Sequence, residues 1–455
     1  MPNILALDDW KVLDRKNDEH DMMITAEYTK SPEFCVRCGV EGAKLLKHGV
    51  QEQTFMDTPI HGKRVGIKVQ RQRYRCADCK GNFQQLLPDM DEKRTMTRRL
   101  LDYIRQRSLE RTFTEVSEDV GVNEKTVRNI FTDFVDDLDE NRNIVTPNWL
   151  GIDELFLIGK PRCMLTNVQE RRIVDLLVNR DKKTVTAWLK AIPEPDKVKV
   201  VTMDMWRPYR DAANSVLPNA RVVVDKFHVV KMANHCLDAV RKSLRDGMDA
   251  KQRRKLMHDR HLLLRRRKDL EPIDHMLMDS WTGALPSLLN AYNAKEDFYE
   301  VYEKTTDRRD AQELYEVWLG SLDRETKLAF HELIRAVENW KPEIFAYFDH
   351  RATNAYTEAV NGITKVINRI GRGYSFHAIR AKVIYGTSRP AKPKFGDGQR
   401  QRAAAAAAED ELPFCSRFVK ALYEQARKDH GIEIQHVIDE INRQHESQKS
   451  TVKSE

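Results

Sequence analysis

No run of about eighteen or more apolar residues occurs in the 455-residue chain, so a membrane-spanning helix is not expected. The opening residues, Met-Pro-Asn-Ile-Leu-Ala-Leu-Asp-Asp, lack the basic start of a secretory leader, which points to a cytosolic protein. Disulfides are rare in that compartment, and the seven cysteines therefore need another role. A large excess of one charge is also missing. The formal charge of +7 is modest for this length, and basic residues inform only through where they cluster. With 41% apolar residues the chain can build cores, and its length points to several domains.

Four cysteines form two knuckles, Cys35-Val-Arg-Cys38 and Cys76-Ala-Asp-Cys79, followed by the turn-favouring Gly39 and Lys80-Gly81. Two such pairs can set four thiolates tetrahedrally around one structural Zn²⁺. The interval between them is long for a compact ribbon, but strands predicted over 54–60 and 64–74 can bring the knuckles together. The second of these strands is strongly basic, and beside a zinc module Arg71, Arg73 and Arg75 are candidate phosphate contacts.

Residues 92–145 read as three helices, with apolar positions at helical spacing over 97–107 and 112–120. Gly121-Val-Asn makes a turn, and Asn123 is the expected N-cap of a third helix from Glu124. Helix, glycine turn and helix is the helix-turn-helix pattern. Lys125, Thr126, Arg128 and Asn129 would then face DNA bases in the major groove.

From residue 148 the periodicity turns to strands. Asn148-Trp-Leu-Gly-Ile-Asp153 buries a carboxylate among apolar neighbours, a costly placement unless a partner or metal compensates. Alternation sends Asp153 and the adjacent Glu154 to opposite faces, and Asp153 is preferred. A second β-branched run ends in Asp204, and Thr353-Asn-Ala-Tyr-Thr-Glu358 opens a helix. Two aspartates on strands and a glutamate on a helix suit a divalent-metal site for phosphoryl transfer, with two Mg²⁺ ions, or Mn²⁺ as substitute. Strands over 162–169 and 171–179 suggest a meander, followed by helix, strand, helix and strand, the last ending in Asp225. That order is ribonuclease-H-like and makes the Asp153 and Asp204 strands neighbours. Asp225 and His228 are expected around the ligands or against DNA rather than among the ligands.

Several segments together resemble a bacterial insertion-sequence DDE transposase of the ISL-three type. They are the paired knuckles, Gly151-Ile-Asp153-Glu, Met203-Asp204-Met-Trp-Arg-Pro-Tyr209, Val224-Asp225-Lys-Phe-His228 through Asn234, and Thr353 to Gly362. The resemblance covers most of residues 30 to 390. It implies that Asp153, Asp204 and Glu358 are the metal-binding catalytic triad. It also implies that the amino-terminal modules bind the inverted-repeat ends of an element, in a cytoplasmic, nucleoid-associated bacterial enzyme.

Between Asp225 and Glu358 the pattern is helical throughout, too long for a connection and read as an inserted helical domain. Its first part is dense in arginine with few local acids, so Arg253, Arg254, Arg265, Arg266 and Arg267 are read as a DNA-backbone track. Trp281, Trp318 and Trp340 are assigned to the core. Beyond Glu358, Arg369 and Arg372, with Lys365, Arg380 and Lys382, form another basic patch. A Pro- and Gly-containing linker and an alanine run precede a predicted amphipathic extension.

The expected class is multidomain α+β. Residues 1–90 form a zinc-binding module, 91–147 a helix-turn-helix, 148–228 and 351–390 a ribonuclease-H-like core, 229–350 a helical insertion, and 391–455 a linker and helical extension. The expected activity is metal-dependent cleavage and strand transfer on double-stranded DNA, at terminal inverted repeats and target, with a homodimer the simplest way to join two ends. A nuclease without joining activity and a DNA-binding repressor remain open on the residues alone.

Overall fold

The computed structural model describes residues 4–387. The expected 391–455 extension lies outside the described residues.

The first unit is a seven-stranded sheet made of β1 (Trp10–Asn17), β2 (Asp21–Tyr28), β3 (Leu45–Ile60), β4 (Lys63–Cys76), β5 (Asn82–Gln84), β6 (Met90–Asp91) and β7 (Met96–Thr97). β3 and β4 form an antiparallel hairpin longer than the sequence pattern suggested. One end packs on a core through Phe55, Val65, Ile67 and Val69. The other end runs past that core and pairs Leu45 with Cys76, which carries the second knuckle toward the first. Arg71 departs from expectation. It is buried, and its guanidinium donates to the Gln85 carbonyl at 2.7 Å, to Gln53 at 3.2 Å and to Glu92 at 2.7 Å. It ties the hairpin together and is unavailable to phosphate. Arg73 and Arg75, beyond the core, are exposed.

Three helices follow: α1 (Arg98–Glu110), α2 (Phe113–Val120) and α3 (Glu124–Glu140). Thr112 and Glu115 close a capping box at the start of α2. Gly121 ends α2 in the left-handed region at φ 68°, and Asn123 caps α3 by accepting from Lys125 N. Lys125 and Asn129 are exposed and Thr126 half-buried. The half-buried Arg128 is paired with Glu124 and lies over the Phe113 ring at 5.0 Å.

The second sheet has five strands in the order β10-β9-β8-β11-β12. They are β8 (Trp149–Leu157), β9 (Lys160–Asn167), β10 (Arg172–Leu177), β11 (Val200–Met203) and β12 (Arg221–Val224), with α4 (Lys182–Ala191) and α5 (Arg207–Val216) between the later strands. β8 to β10 are antiparallel, and β11 is parallel to both β8 and β12. Leu150 and Ile152 of β8 join the core under α4 and α5, while Leu155 and Leu157 face the other side. This two-sided burial is why β8 reads as a nearly continuous apolar run.

After β12 the chain is helical: α6 (Lys226–Ser243), α7 (Ala250–His258), α8 (Arg260–Leu264), α9 (Pro272–Ala284), α10 (Pro286–Lys304), α11 (Arg308–Ser321), α12 (Arg324–Ala329), α13 (His331–Asn339) and α14 (Lys341–His350). Their apolar cluster continues into Val200, Val223 and Val224, so the helices share a core with the sheet edge. Trp318 and Trp340 are buried in it, and Trp281 donates to Asp259 at 2.9 Å. Arg266 is a second correction. Its guanidinium is held by Glu296 at 3.0 Å and Glu303 at 2.6 Å and lies over Tyr299, with the side chain 12% exposed. Acids from α10, far along the chain, satisfy it. Arg265 is exposed but pairs with Asp274, whereas Arg253, Arg254 and Arg267 are exposed with no acid on their guanidinium groups among the described contacts.

α15 (Ala355–Gly371) and α16 (Phe376–Ala381) then return to the sheet. Of the basic residues here, Lys365, Arg369 and Arg372 are exposed. Arg380 pairs with Asp139 and Asp175, and Lys382 is buried with its ammonium on the carbonyls of Ser108 and Arg111. These two join α1 and α3 to the second sheet. One cluster unites Ile104, Phe131, Leu157, Val360 and Tyr374, so the cores run across the pattern boundary near residue 147.

Candidate active site

The parallel register pairs Met203 with Ile152, so Asp204, one residue past β11, lies beside Asp153 of β8. Asp153 is buried, and Glu154 points out to pair with Arg180, as alternation requires. Glu358 comes from the first turn of α15, which crosses the same face of β8. Gly151 permits this crossing, because a Cβ there would sit 2.6 Å from both Thr166 Oγ1 and Thr357 Oγ1.

Two asparagines lock the helix to the strands. Asn354, fully buried before α15, donates to the Ile152 carbonyl at 3.0 Å and accepts from Thr202 Oγ1 at 2.7 Å. Asn361 donates from Nδ2 to Asp153 Oδ2 at 2.7 Å. Neither is singled out by sequence reading. The signal was the polar spacing Asn354, Thr357, Asn361, Thr364 along one helix face, which reads as solvated but is buried.

His228 stands nearer the centre than expected. Its Nε2 lies 2.8 Å from Asp204 Oδ1 and 3.5 Å from Glu358 Oε1, off the line of a hydrogen bond to Asp204. Asp225 caps α6 by accepting from Phe227 N. Ligating atoms of Asp153, Asp204 and His228 lie within 4.8 Å of one another, as do those of Asp225, His228 and Glu358. Burial, and then the Asp204 charge, push Asp153 up to about 8. Burial likewise raises Asp225 and Glu358. Burial opposes the charge of His228, but Asp204, Asp225 and Asp153 together hold it above its ordinary value. The cluster thus crowds acids in a place that disfavours their charge.

A divalent ion fits this donor set. The buried Asp204 Oδ1 and Asp225 Oδ2 have no hydrogen-bond partner, and carboxylate oxygens suit a hard cation. Asp204 does not cap α5, whose start carries no side-chain cap. Two other acids on α14, Glu343 and Asp349, are engaged elsewhere, with Arg210 and Arg308 respectively.

The knuckles form a separate centre. The sulfurs of Cys35, Cys38, Cys76 and Cys79 lie within 4.8 Å of one another, and those of Cys35 and Cys79 are 3.8 Å apart. Zn–S bonds of about 2.3 Å in a tetrahedron put sulfurs about 3.8 Å apart, so the cluster fits a structural zinc.

Comparison with known proteins gives concordant matches along the chain. Residues 31–79 match the zinc finger of transposases IS204/IS1001/IS1096/IS1165, and residues 85–135 match the helix-turn-helix domain of transposase family ISL3. Residues 150–383 match the ISL3-type DDE domain, described as a transposase. The chain is 24% identical over 355 residues to the transposase for insertion sequence element IS1001 of Bordetella parapertussis, covering 75% of this chain and 85% of that protein. Among the described residues no helix is long and apolar enough to cross a membrane.

Proposed function

Since the chain belongs to the ISL3 family of transposases, we propose that Asp153, Asp204 and Glu358 hold the divalent metal with which it cuts and joins DNA. The observation that supports this most is the convergence of carboxylates from β8, the end of β11 and α15 around His228, with the Asp204 Oδ1 and Asp225 Oδ2 oxygens buried there without hydrogen-bond partners. In this reading the second sheet and α15 form a ribonuclease-H-like core, with the helices from α6 to α14 inserted in it. Bound by these carboxylates, Mg²⁺ ions, two in number and replaceable by Mn²⁺, would supply the positive charge that phosphoryl transfer needs.

The chain's own residues position the reaction. Asn361 fixes one oxygen of Asp153, Asn354 fixes α15 against β8 and β11, and Asp225 and His228 surround the ligands. Water hydrolyses a phosphodiester at the element end, and the released 3′-hydroxyl attacks target DNA. Both are in-line displacements that depend on placement more than on a protein nucleophile. Lys125, Thr126 and Asn129 read the terminal inverted repeats in the major groove. Arg73, Arg75, Arg253, Arg254, Arg267, Arg369 and Arg372 contact phosphates. Two ends joined in one event call for a homodimer.

The test is strand cleavage and joining on labelled DNA from the element ends, with Mg²⁺, comparing the wild type with Asp204→Ala. Defined nicks and joined products, both lost in the variant while binding persists, are expected. Cleavage without joining would leave a nuclease, and specific binding without cleavage a repressor.

A further inference from the structure

Beside the carboxylates lies an open cleft of about 320 Å³, at the lower end of the range for small-ligand sites. Its wall on one side is the start of α5, with Trp206 and Tyr209. The facing wall is a single stripe of α6, where His228, Lys231, Met232 and His235 follow at steps of three and four. Asp204 forms the end of the cleft nearest the catalytic acids.

Trp206 is the feature that needs explaining. It is 39% exposed, two residues from a catalytic aspartate, where an apolar ring gains nothing from water. Arg180 stacks on the ring at 4.4 Å and is itself fixed by Glu154, so the indole is held in place. Deeper in the wall the Tyr209 hydroxyl is buried with no hydrogen bond beyond the approach of the Cys163 thiol. The cleft therefore offers a braced aromatic face, a half-buried methionine opposite, an unused hydroxyl and an exposed ammonium from Lys231. A site for phosphate alone would have no use for the aromatic and methionine surface.

We propose that this cleft takes a single nucleobase of the DNA strand, turned out of the helix next to the scissile phosphate, with Trp206 as its stacking face and Lys231 on the neighbouring phosphate. The inference rests on the transposase reading. With the scissile phosphate at Asp204, the part of DNA that reaches Trp206 is the adjacent nucleotide. A base inside a duplex has both faces covered, so it meets the ring only after leaving the stack.

The test uses the full-length protein on element-end duplexes carrying 2-aminopurine at successive positions on either side of the cleavage point, with Ca²⁺ replacing Mg²⁺ to hold the uncut complex. Fluorescence should rise at one position in the wild type. Trp206→Ala should abolish the rise and slow cleavage about tenfold or more while retaining end binding, and Trp206→Phe should restore both. An abasic nucleotide at that position should recover part of the Trp206→Ala defect, because nothing then needs unstacking. The position of the signal tells whether the base belongs to the element or to its flank. A wild-type complex that cleaves normally with Mg²⁺ but shows no rise at any position overturns the inference and leaves the transposase reading intact. An equal rise in Trp206→Ala also overturns it. Absence of cleavage in the wild type counts against the transposase reading instead.

Discussion

Asn361 donates to Asp153 Oδ2 at 2.7 Å across 208 residues of chain, one helical turn from Glu358. The bond couples the orientation of a strand carboxylate to the placement of the helix that bears the glutamate. Asn361→Ala should therefore raise the Mg²⁺ concentration needed for half-maximal cleavage by about 10- to 100-fold, in the range for residues that orient metal ligands. Asn361→Asp, which adds a charge beside an already crowded acid, should be more severe. A metal titration of strand cleavage decides this, and an unchanged midpoint in both variants would remove Asn361 from the site.

Gly151→Ala should loosen the crossing of α15 over β8. The added methyl meets Thr166 Oγ1 and Thr357 Oγ1 at 2.6 Å, atoms that are hydrogen-bonded to each other at 2.7 Å. Overpacking of this kind costs about 1–3 kcal/mol. Thermal unfolding and cleavage rate should both fall, since Thr357 immediately precedes Glu358. A variant that melts and cuts like the wild type would show that the helix has room to spare.

The raised Asp153 makes stability depend on pH in a definite direction. Its carboxyl shifts from 3.8 to about 8 on folding, so the folded chain favours the protonated form. The associated stability is complete below about 3.8 and is lost as pH rises through about 8. Without divalent metal, the unfolding temperature should decline over that window. Added Mg²⁺ should stabilise more at the alkaline end, where the ligands bind it without first releasing a proton. Unfolding curves with and without Mg²⁺ at several pH values test this, and a metal effect independent of pH would contradict it.

Arg253 and Arg254 should differ from Arg266 in kind. The first two are exposed on α7, so replacing either with alanine should weaken DNA binding and lower the slope of log affinity against log salt by about 1. Arg266→Ala should instead lower the unfolding temperature, because it removes the largely buried guanidinium that Glu296 and Glu303 share and leaves them only their lysine side-chain partners. Binding measured across salt concentrations, beside unfolding curves, separates the two. A reduced salt slope with normal stability in Arg266→Ala would reverse the assignment.

Lys382→Met should loosen the helix-turn-helix on the second sheet, although Arg380 and the shared apolar cluster still hold it there. The ammonium donates to the Arg111 carbonyl at 2.8 Å and to that of Ser108, and lies 4.8 to 5.5 Å from the rings of Phe113, Phe131 and Tyr374. Methionine fills the space but leaves two carbonyls unmet, at about 1–3 kcal/mol. Hydrogen exchange should rise in α1 and α2, and unchanged exchange there would argue that the apolar contacts suffice.

What the sequence made legible was local. The knuckles, the Asn123 cap and the opposed directions of Asp153 and Glu154 all depend on spacing within a few residues. The neighbouring of the Asp153 and Asp204 strands followed from element order. What it concealed was long-range. Arg71 and Arg266 read as phosphate contacts because their acids, Glu92 and Glu296, lie 21 and 30 residues away. Lys382 read as surface charge because its partner Ser108 is 274 residues distant. His228 read as peripheral, since nothing in its own segment shows that two other strands and α15 deliver carboxylates around it.

The shared core of α1 to α3 with β8, β9 and α15 has a geometric consequence for the DNA. If α3 reads the sequence and the acids around Asp153 cut it, both are held by one packed core, and the chain acts as a ruler. The number of base pairs between the recognised motif and the broken bond is set by protein packing. Half a turn of extra duplex inserted there would present the wrong side of the backbone to the acids, however well the motif itself were bound.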